Sequence, residues 1–180
     1  MNRKSCAFTG HRPRKFPWGY DESDSQCVRL KAALAEQIVQ LAGDGVTDFL
    51  TGMAEGVDTW AAEIVLSLRE EMPVLKLHCI LPCKTQAAGW SAQAQARYYA
   101  ILEQADSIVY VSREARKNCM LARNRFLVEH AGILLAVYNG ERRGGTAATV
   151  RYAKKLGREI WCIDALSMCV THENNNDGGM

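Results

Sequence analysis

Val46-Thr-Asp-Phe-Leu-Thr-Gly-Met-Ala-Glu-Gly-Val-Asp-Thr-Trp-Ala-Ala62 decides the fold of this chain. Val46 to Leu50 reads as a strand, and Val57, Ala61, Ile64, Val65 and Leu68 recur at helical spacing behind it. The loop between them carries Gly52 and Gly56, the second immediately before the helix. A buried strand that runs through a glycine loop into a helix is half of a βαβ unit. Such a unit requires a parallel partner strand next, and Val74 to Leu81 supplies it.

The same alternation extends both ways. Cys6-Ala7-Phe8 opens a first strand, and a helix is expected from about Asp24 to Ala42, with Val28, Leu34, Ile38 and Leu41 on one face. Downstream come a helix from Trp90 to Gln104, a strand from Ser107 to Val111 and a helix from Met120 to His130. The strand Ile133 to Tyr138, the helix Thr146 to Leu156 and the strand Glu159 to Ile163 complete the series. Six strands alternating with five helices predict a Rossmann-like three-layer α/β/α sandwich with a mostly parallel, doubly wound sheet. Residues 1–170 are expected to form one domain, and residues 171–180, which show no apolar pattern, a polar C-terminal tail.

Composition narrows the function classes. The 180 residues are 48% apolar and 23% charged, the balance of a globular domain. A formal net charge of +2 disfavours a nucleic-acid or membrane-seeking surface as a whole while leaving room for a local basic site. No apolar run approaches the roughly 18 residues of a membrane span, and no apolar segment follows the basic start, so a cytoplasmic protein is expected. The seven cysteines are scattered through apolar segments, which reads as reduced thiols. Cys79 and Cys83 beside His78 lack a second pair, and no metal is assigned to them.

Loop chemistry is asymmetric. Connections after helices are terse, whereas those after strands are long and loaded: Thr9-Gly10-His11-Arg12 after the first strand, Gly52 to Gly56 after the second, and Asn139 to Thr146 after the fifth. In a parallel sheet these loops share the carboxyl edge, where open α/β folds bind ligands. Gly56 and Gly144-Gly145-Thr146 stand before helix starts, whose free amides and positive dipole end suit phosphate. Arg12, Arg14, Arg123, Arg142 and Arg143 fall on the same edge and favour that reading over glycines that serve the turns alone. Neither the dinucleotide GxGxxG nor the GxxxxGK[ST] loop is present.

At these residues the chain resembles the SLOG superfamily. Thr51-Gly-Met-Ala-Glu-Gly-Val-Asp58 is similar to a segment of the DprA/Smf proteins, and Gly144-Gly145-Thr146 to the end of the PGGxGT signature of the LOG phosphoribohydrolases. Phe8-Thr-Gly-His-Arg-Pro13, Phe16-Pro-Trp-Gly19, Met120-x-x-Arg123-Asn124 and Gly144-Gly-Thr146 resemble its YpsA-like branch more closely.

The resemblance implies binding or sensing of a nucleotide or nucleotide-derived ligand such as AMP, ADP-ribose or a phosphoribosyl compound, with no cofactor required. It implies a cradle of Gly10, Gly52, Gly56, Gly144, Gly145 and Thr146, with Asp58 on ribose hydroxyls or bracing the loop and Arg123 on a phosphate or ribose oxygen. Thr9, His11, Arg12, Glu55 and Asn124 complete the expected site. LOG enzymes carry glutamates where this chain has Ala148 and Thr149, which removes the acid for N-glycosidic cleavage and tilts the expectation from enzyme to binder. Nucleoside monophosphate phosphoribohydrolase activity and DprA-like single-stranded DNA binding are the alternatives. A homodimer is the partner expectation carried over from LOG relatives.

Overall fold

The computed structural model describes residues 5–174. Its elements follow the order β1 (Ser5–Gly10), α1 (Ser25–Gly43), β2 (Asp48–Thr51), α2 (Val57–Leu68), β3 (Lys76–Leu81), α3 (Ala92–Gln104), β4 (Ser107–Tyr110), α4 (Cys119–His130), β5 (Ile133–Val137), α5 (Gly145–Lys155), β6 (Glu159–Ile163) and β7 (Val170–Glu173). The strands form one sheet in the order β4-β3-β2-β1-β5-β6-β7. All neighbours pair in parallel except β6 and β7. The doubly wound α/β sandwich inferred from the periodicity is therefore the observed fold.

Each central strand is apolar because both of its faces are covered. One face carries the larger core, in which Phe8 and Phe49 stack at 5.7 Å beneath Leu30, Leu34, Ile38, Trp60 and Val65 of α1 and α2. On the other face Ala7, Leu134 and Ala136 meet Leu127 and Val128 of α4 and Val150 and Ala153 of α5. The chain changes face between β4 and β5. The carboxyl ends of β1 and β5, adjacent in the sheet, thus form the topological switch point, where helices leave in opposite directions and open a crevice.

Two expectations need correction. Val28 is 53% exposed, and the buried stripe of α1 runs instead through Cys27, Leu30, Leu34, Gln37, Ile38 and Leu41. The expected tail begins as a seventh strand: Val170–Glu173 pairs antiparallel with β6, and the His172 ring stacks on Trp161 at 4.0 Å. A solvated edge strand needs no apolar alternation, because backbone pairing holds it. Residues 175–180 of that expected tail lie outside the described residues.

A cationic cleft at the switch point

A cavity of about 430 Å³ opens at the carboxyl ends of β1 and β5. Thr9, Gly10, His11, Arg12, Asp58, Arg123, Asn124, Gly144, Gly145 and Thr146 all line it. Ten of the expected site residues, drawn from four separate loops and helix starts, thereby share one wall.

The start of α5 forms one rim. Gly144 caps the helix at φ +108°, a conformation that L side chains rarely adopt, and no side chain bonds the free amides of the first turn. A Cβ on Gly145 would have only Asn124 Nδ2, at 3.9 Å, within contact range, so the space beside this first turn is open.

Arg123 forms the floor. It is 3% exposed, and its Nε and Nη1 have no hydrogen-bond partner among the described residues. Asp58 Oδ2 stands 3.5 Å from Nη1, an ion-pair distance too long for a good hydrogen bond, and accepts instead from the Ala54 amide at 3.3 Å. Burial pushes the Asp58 carboxyl up, against the opposing pull of Arg123, and pushes the Arg123 guanidinium down, against Asp58. Arg12 adds a second positive charge felt by both. Together Arg12, Arg14, Lys15, Arg123 and Arg143 set five cations against the carboxylates of Asp58 and Glu141. An anion entering here would complete an arrangement that the protein leaves short of negative charge.

His11 is held rather than loose. Its Nε2 lies 3.1 Å from Asn139 Oδ1, which also accepts from the Glu141 amide at 3.2 Å. That oxygen is therefore the acceptor for both, and Nε2 is the donor. Tyr138 donates to the Glu141 carbonyl, and Lys15 meets the Glu141 carboxylate at 3.5 Å. The loops after β1 and β5 are tied together across the crevice.

Three expected residues stand elsewhere. A Cβ on Gly52 would fall 1.5 Å from Arg123 Nη1, so Gly52 seats the arginine and does not line the cavity. Gly56 packs under the β1 loop, where a Cβ would lie 2.9 Å from Pro13 Cδ and 3.0 Å from the His11 carbonyl oxygen. Glu55 and Gly56 line a neighbouring cavity, so the glycine cap of α2 stands outside the cationic cleft, which the helix reaches through Asp58 of its first turn. Of the two glycine-capped helix starts, only that of α5 lines this cleft with its glycines.

Arg14 and Arg143, noted on this edge in the sequence, do line the cleft, whereas the Arg142 carbonyl accepts from Arg151 at 2.7 Å. Met120, quoted above with Arg123 and Asn124, lines the cleft too, as do Lys15 and Glu141, which nothing local in the sequence marks as cavity-facing. Ala148 and Thr149 face the groove between α4 and α5, and the Thr149 hydroxyl donates to the Gly145 carbonyl. Among the described residues no group of three or more His, Cys, Asp or Glu side chains is gathered for a metal, and no helix is long and apolar enough to cross a membrane.

Fold and cleft together define a Rossmann-like α/β protein with a cationic cleft at its switch point. The chain belongs to the YspA SLOG family, whose model matches residues 6–168. The UPF0398 proteins of Bacillus thuringiensis (strain Al Hakam) and Bacillus cereus (strain AH187) are each 34% identical over 158 residues, covering 86% of this chain and 84% of the relative. A solved structure of DNA processing protein A from Helicobacter pylori, described for its single-stranded DNA binding mode, superposes with a TM-score of 0.62 at 16% identity. That likeness covers 97% of this chain and 70% of the other, and concerns the fold.

Proposed function

We propose that this protein binds a nucleotide or nucleotide-derived ligand, with its phosphate held between the amides that start α5 and the guanidinium of Arg123. The single observation that carries the reading is Arg123 itself: a buried cation lining an open cavity, with two nitrogens that make no hydrogen bond among the described residues. A guanidinium satisfied by an oxyanion gains charge-assisted hydrogen bonds that Asp58 at 3.5 Å does not supply. Arg12 and Arg143 would neutralise the remaining phosphate charge, and His11 Nδ1 would accept from a ribose hydroxyl.

Binding is favoured over turnover. The positions that carry the acid in LOG enzymes, here Ala148 and Thr149, face away from the cleft, and Asp58 is engaged by the Ala54 amide beside a guanidinium. Five cations around one crevice also support a second reading, in which the anion is the backbone of single-stranded DNA, the ligand of the Helicobacter pylori protein.

A melting-temperature screen separates these. Ribose 5-phosphate, AMP, ADP-ribose or NAD at about a hundred times its Kd should add about 2.7 kcal/mol, a rise of roughly 5–11 °C. Arg12→Ala should abolish the rise. A shift produced by an oligonucleotide and by none of the small ligands would install the DNA reading. Free base released from a bound nucleotide would overturn binding without turnover.

A further inference from the structure

The neighbouring cavity is larger, about 660 Å³, and is built differently. Tyr20 and Trp90 line it, with Pro13, Gly56 and Glu55 along the ridge that divides it from the cationic cleft. Both aromatics are mounted on anchored supports. Phe16 and Trp18 stack at 4.8 Å in the core, and the Asp21 amide bonds the Trp18 carbonyl at 3.1 Å, which holds Tyr20 outside at 65% exposure. Trp90 meets the edge of buried Tyr98 at 5.3 Å, and Gln95 donates to its carbonyl at 3.0 Å.

The charge pattern is the reverse of the first cleft. The one cation in its lining, Arg97, is engaged by Glu22 and Glu63 at 2.5 Å each, so none is free for phosphate. Glu55, by contrast, has no hydrogen-bond or ion-pair partner among the described residues. A carboxylate offers acceptors only, and its two oxygens match two adjacent N–H donors on one edge of a planar ring.

We propose that this cavity receives the base of the nucleotide, and that the base is guanine. The inference rests on the phosphate reading above: the phosphate end stays at α5, the ribose crosses the Pro13–Gly56 ridge, and the base enters between Tyr20 and Trp90. Glu55 accepts from guanine N1–H and N2–H, whereas adenine would set the lone pair of its N1 against the carboxylate. Stacking on aromatic faces tolerates any base, so Glu55 is the selecting group.

Calorimetric titration of the full chain with ribose 5-phosphate, GMP and AMP tests this. GMP should bind at least about tenfold more tightly than ribose 5-phosphate or AMP, a difference of about 1.4 kcal/mol. Tyr20→Ala and Trp90→Ala should each bring GMP back towards ribose 5-phosphate, and Glu55→Gln should equalise GMP with AMP. Ribose 5-phosphate affinity should stay unchanged in all three. Tyr20 is exposed and Glu55 unpartnered, so these two variants should melt with the parent chain and keep the test clean if Trp90→Ala unfolds. Ribose 5-phosphate binding with no gain from the base overturns this inference and leaves the phosphate site standing. AMP binding as tightly as GMP overturns the choice of guanine, and failure of every phosphate ligand to bind removes the underlying reading itself.

Discussion

The guanidinium of Arg123 occupies the space where a side chain on Gly52 would begin, so close that a methyl group there would sit 1.5 Å from Nη1. An arginine of α4 is thus seated by a glycine from the loop after β2, two elements separated by most of the sheet's first half. Gln86 reinforces the seat from the other side, donating to the Gly52 and Met53 carbonyls at 3.0 and 3.1 Å. Met53 adopts φ +54°, a conformation that few non-glycine residues hold, and the Thr51 hydroxyl accepts from its amide.

Gly52→Ala should therefore act at a distance. The added methyl cannot coexist with Arg123, and the overpacking should cost about 1–3 kcal/mol in urea denaturation. The phosphate-dependent rise in melting temperature should disappear with it. Gly43→Ala adds a methyl to open space in α1 and should keep the ligand response, with stability equal to the parent's or up to about 1 kcal/mol above it. A Gly52→Ala chain that kept full ligand response would show that Arg123 is not the anion-binding group.

Asp58 and Arg123 form a second coupled unit. Asp58→Asn leaves a buried guanidinium without its counter-charge and should destabilise by about 3–5 kcal/mol. Arg123→Met should cost a similar amount, because it strands the carboxylate. The double variant should recover most of either loss, since it removes both buried charges together. Additive costs in this cycle would mean that the 3.5 Å contact carries no coupling.

Much of this was legible beforehand, and the exceptions have physical causes. Period-two and period-3.6 patterns mark every element except β7, because a solvated edge strand carries no apolar signature. Ten of the expected site residues line one cavity because the parallel topology sends the post-strand loops, and the helix starts behind them, to one edge. Gly52 and Gly56 stand outside that cavity for a common reason. Glycine before a helix signals close approach, but the sequence does not say whether the approaching group is a ligand, a guanidinium or Pro13. Nor does linear order show that Glu22, from the β1–α1 loop, meets Arg97 of α3.

That Glu22 pairing makes stability depend on acid. Burial pushes its carboxyl up, but hydrogen bonds from Arg97, Lys31 and Trp60 prevail and bring it from 4.5 down to about 2. A folded value below the unfolded one contributes stability above pH 4.5 that is lost as the pH falls towards 2. The side chain is 32% exposed, so screening reduces the contribution to about 1 kcal/mol. In parallel denaturation series, Glu22→Gln should lower stability at pH 7 and flatten the dependence between pH 5 and 2, judged against about 1 kcal/mol. Parallel curves for the two chains would remove this role.

Gly145 offers the cleanest separation of fold from site. Its Cβ position meets no atom nearer than 3.9 Å, and its φ lies outside the left-handed region, so an alanine fits the backbone as it stands. Alanine in the first turn of a helix also loses less chain entropy than glycine, so Gly145→Ala should match or exceed the parent in stability by up to about 1 kcal/mol. The same methyl projects from the start of α5, beside the amides assigned to phosphate. Affinity for ribose 5-phosphate should fall by about tenfold or more, a loss of at least about 1.4 kcal/mol, while the melting temperature without ligand holds. Loss of affinity without loss of stability locates the anion at α5. Unchanged affinity would move it away from that helix and towards Arg12 and Arg14 on the opposite rim.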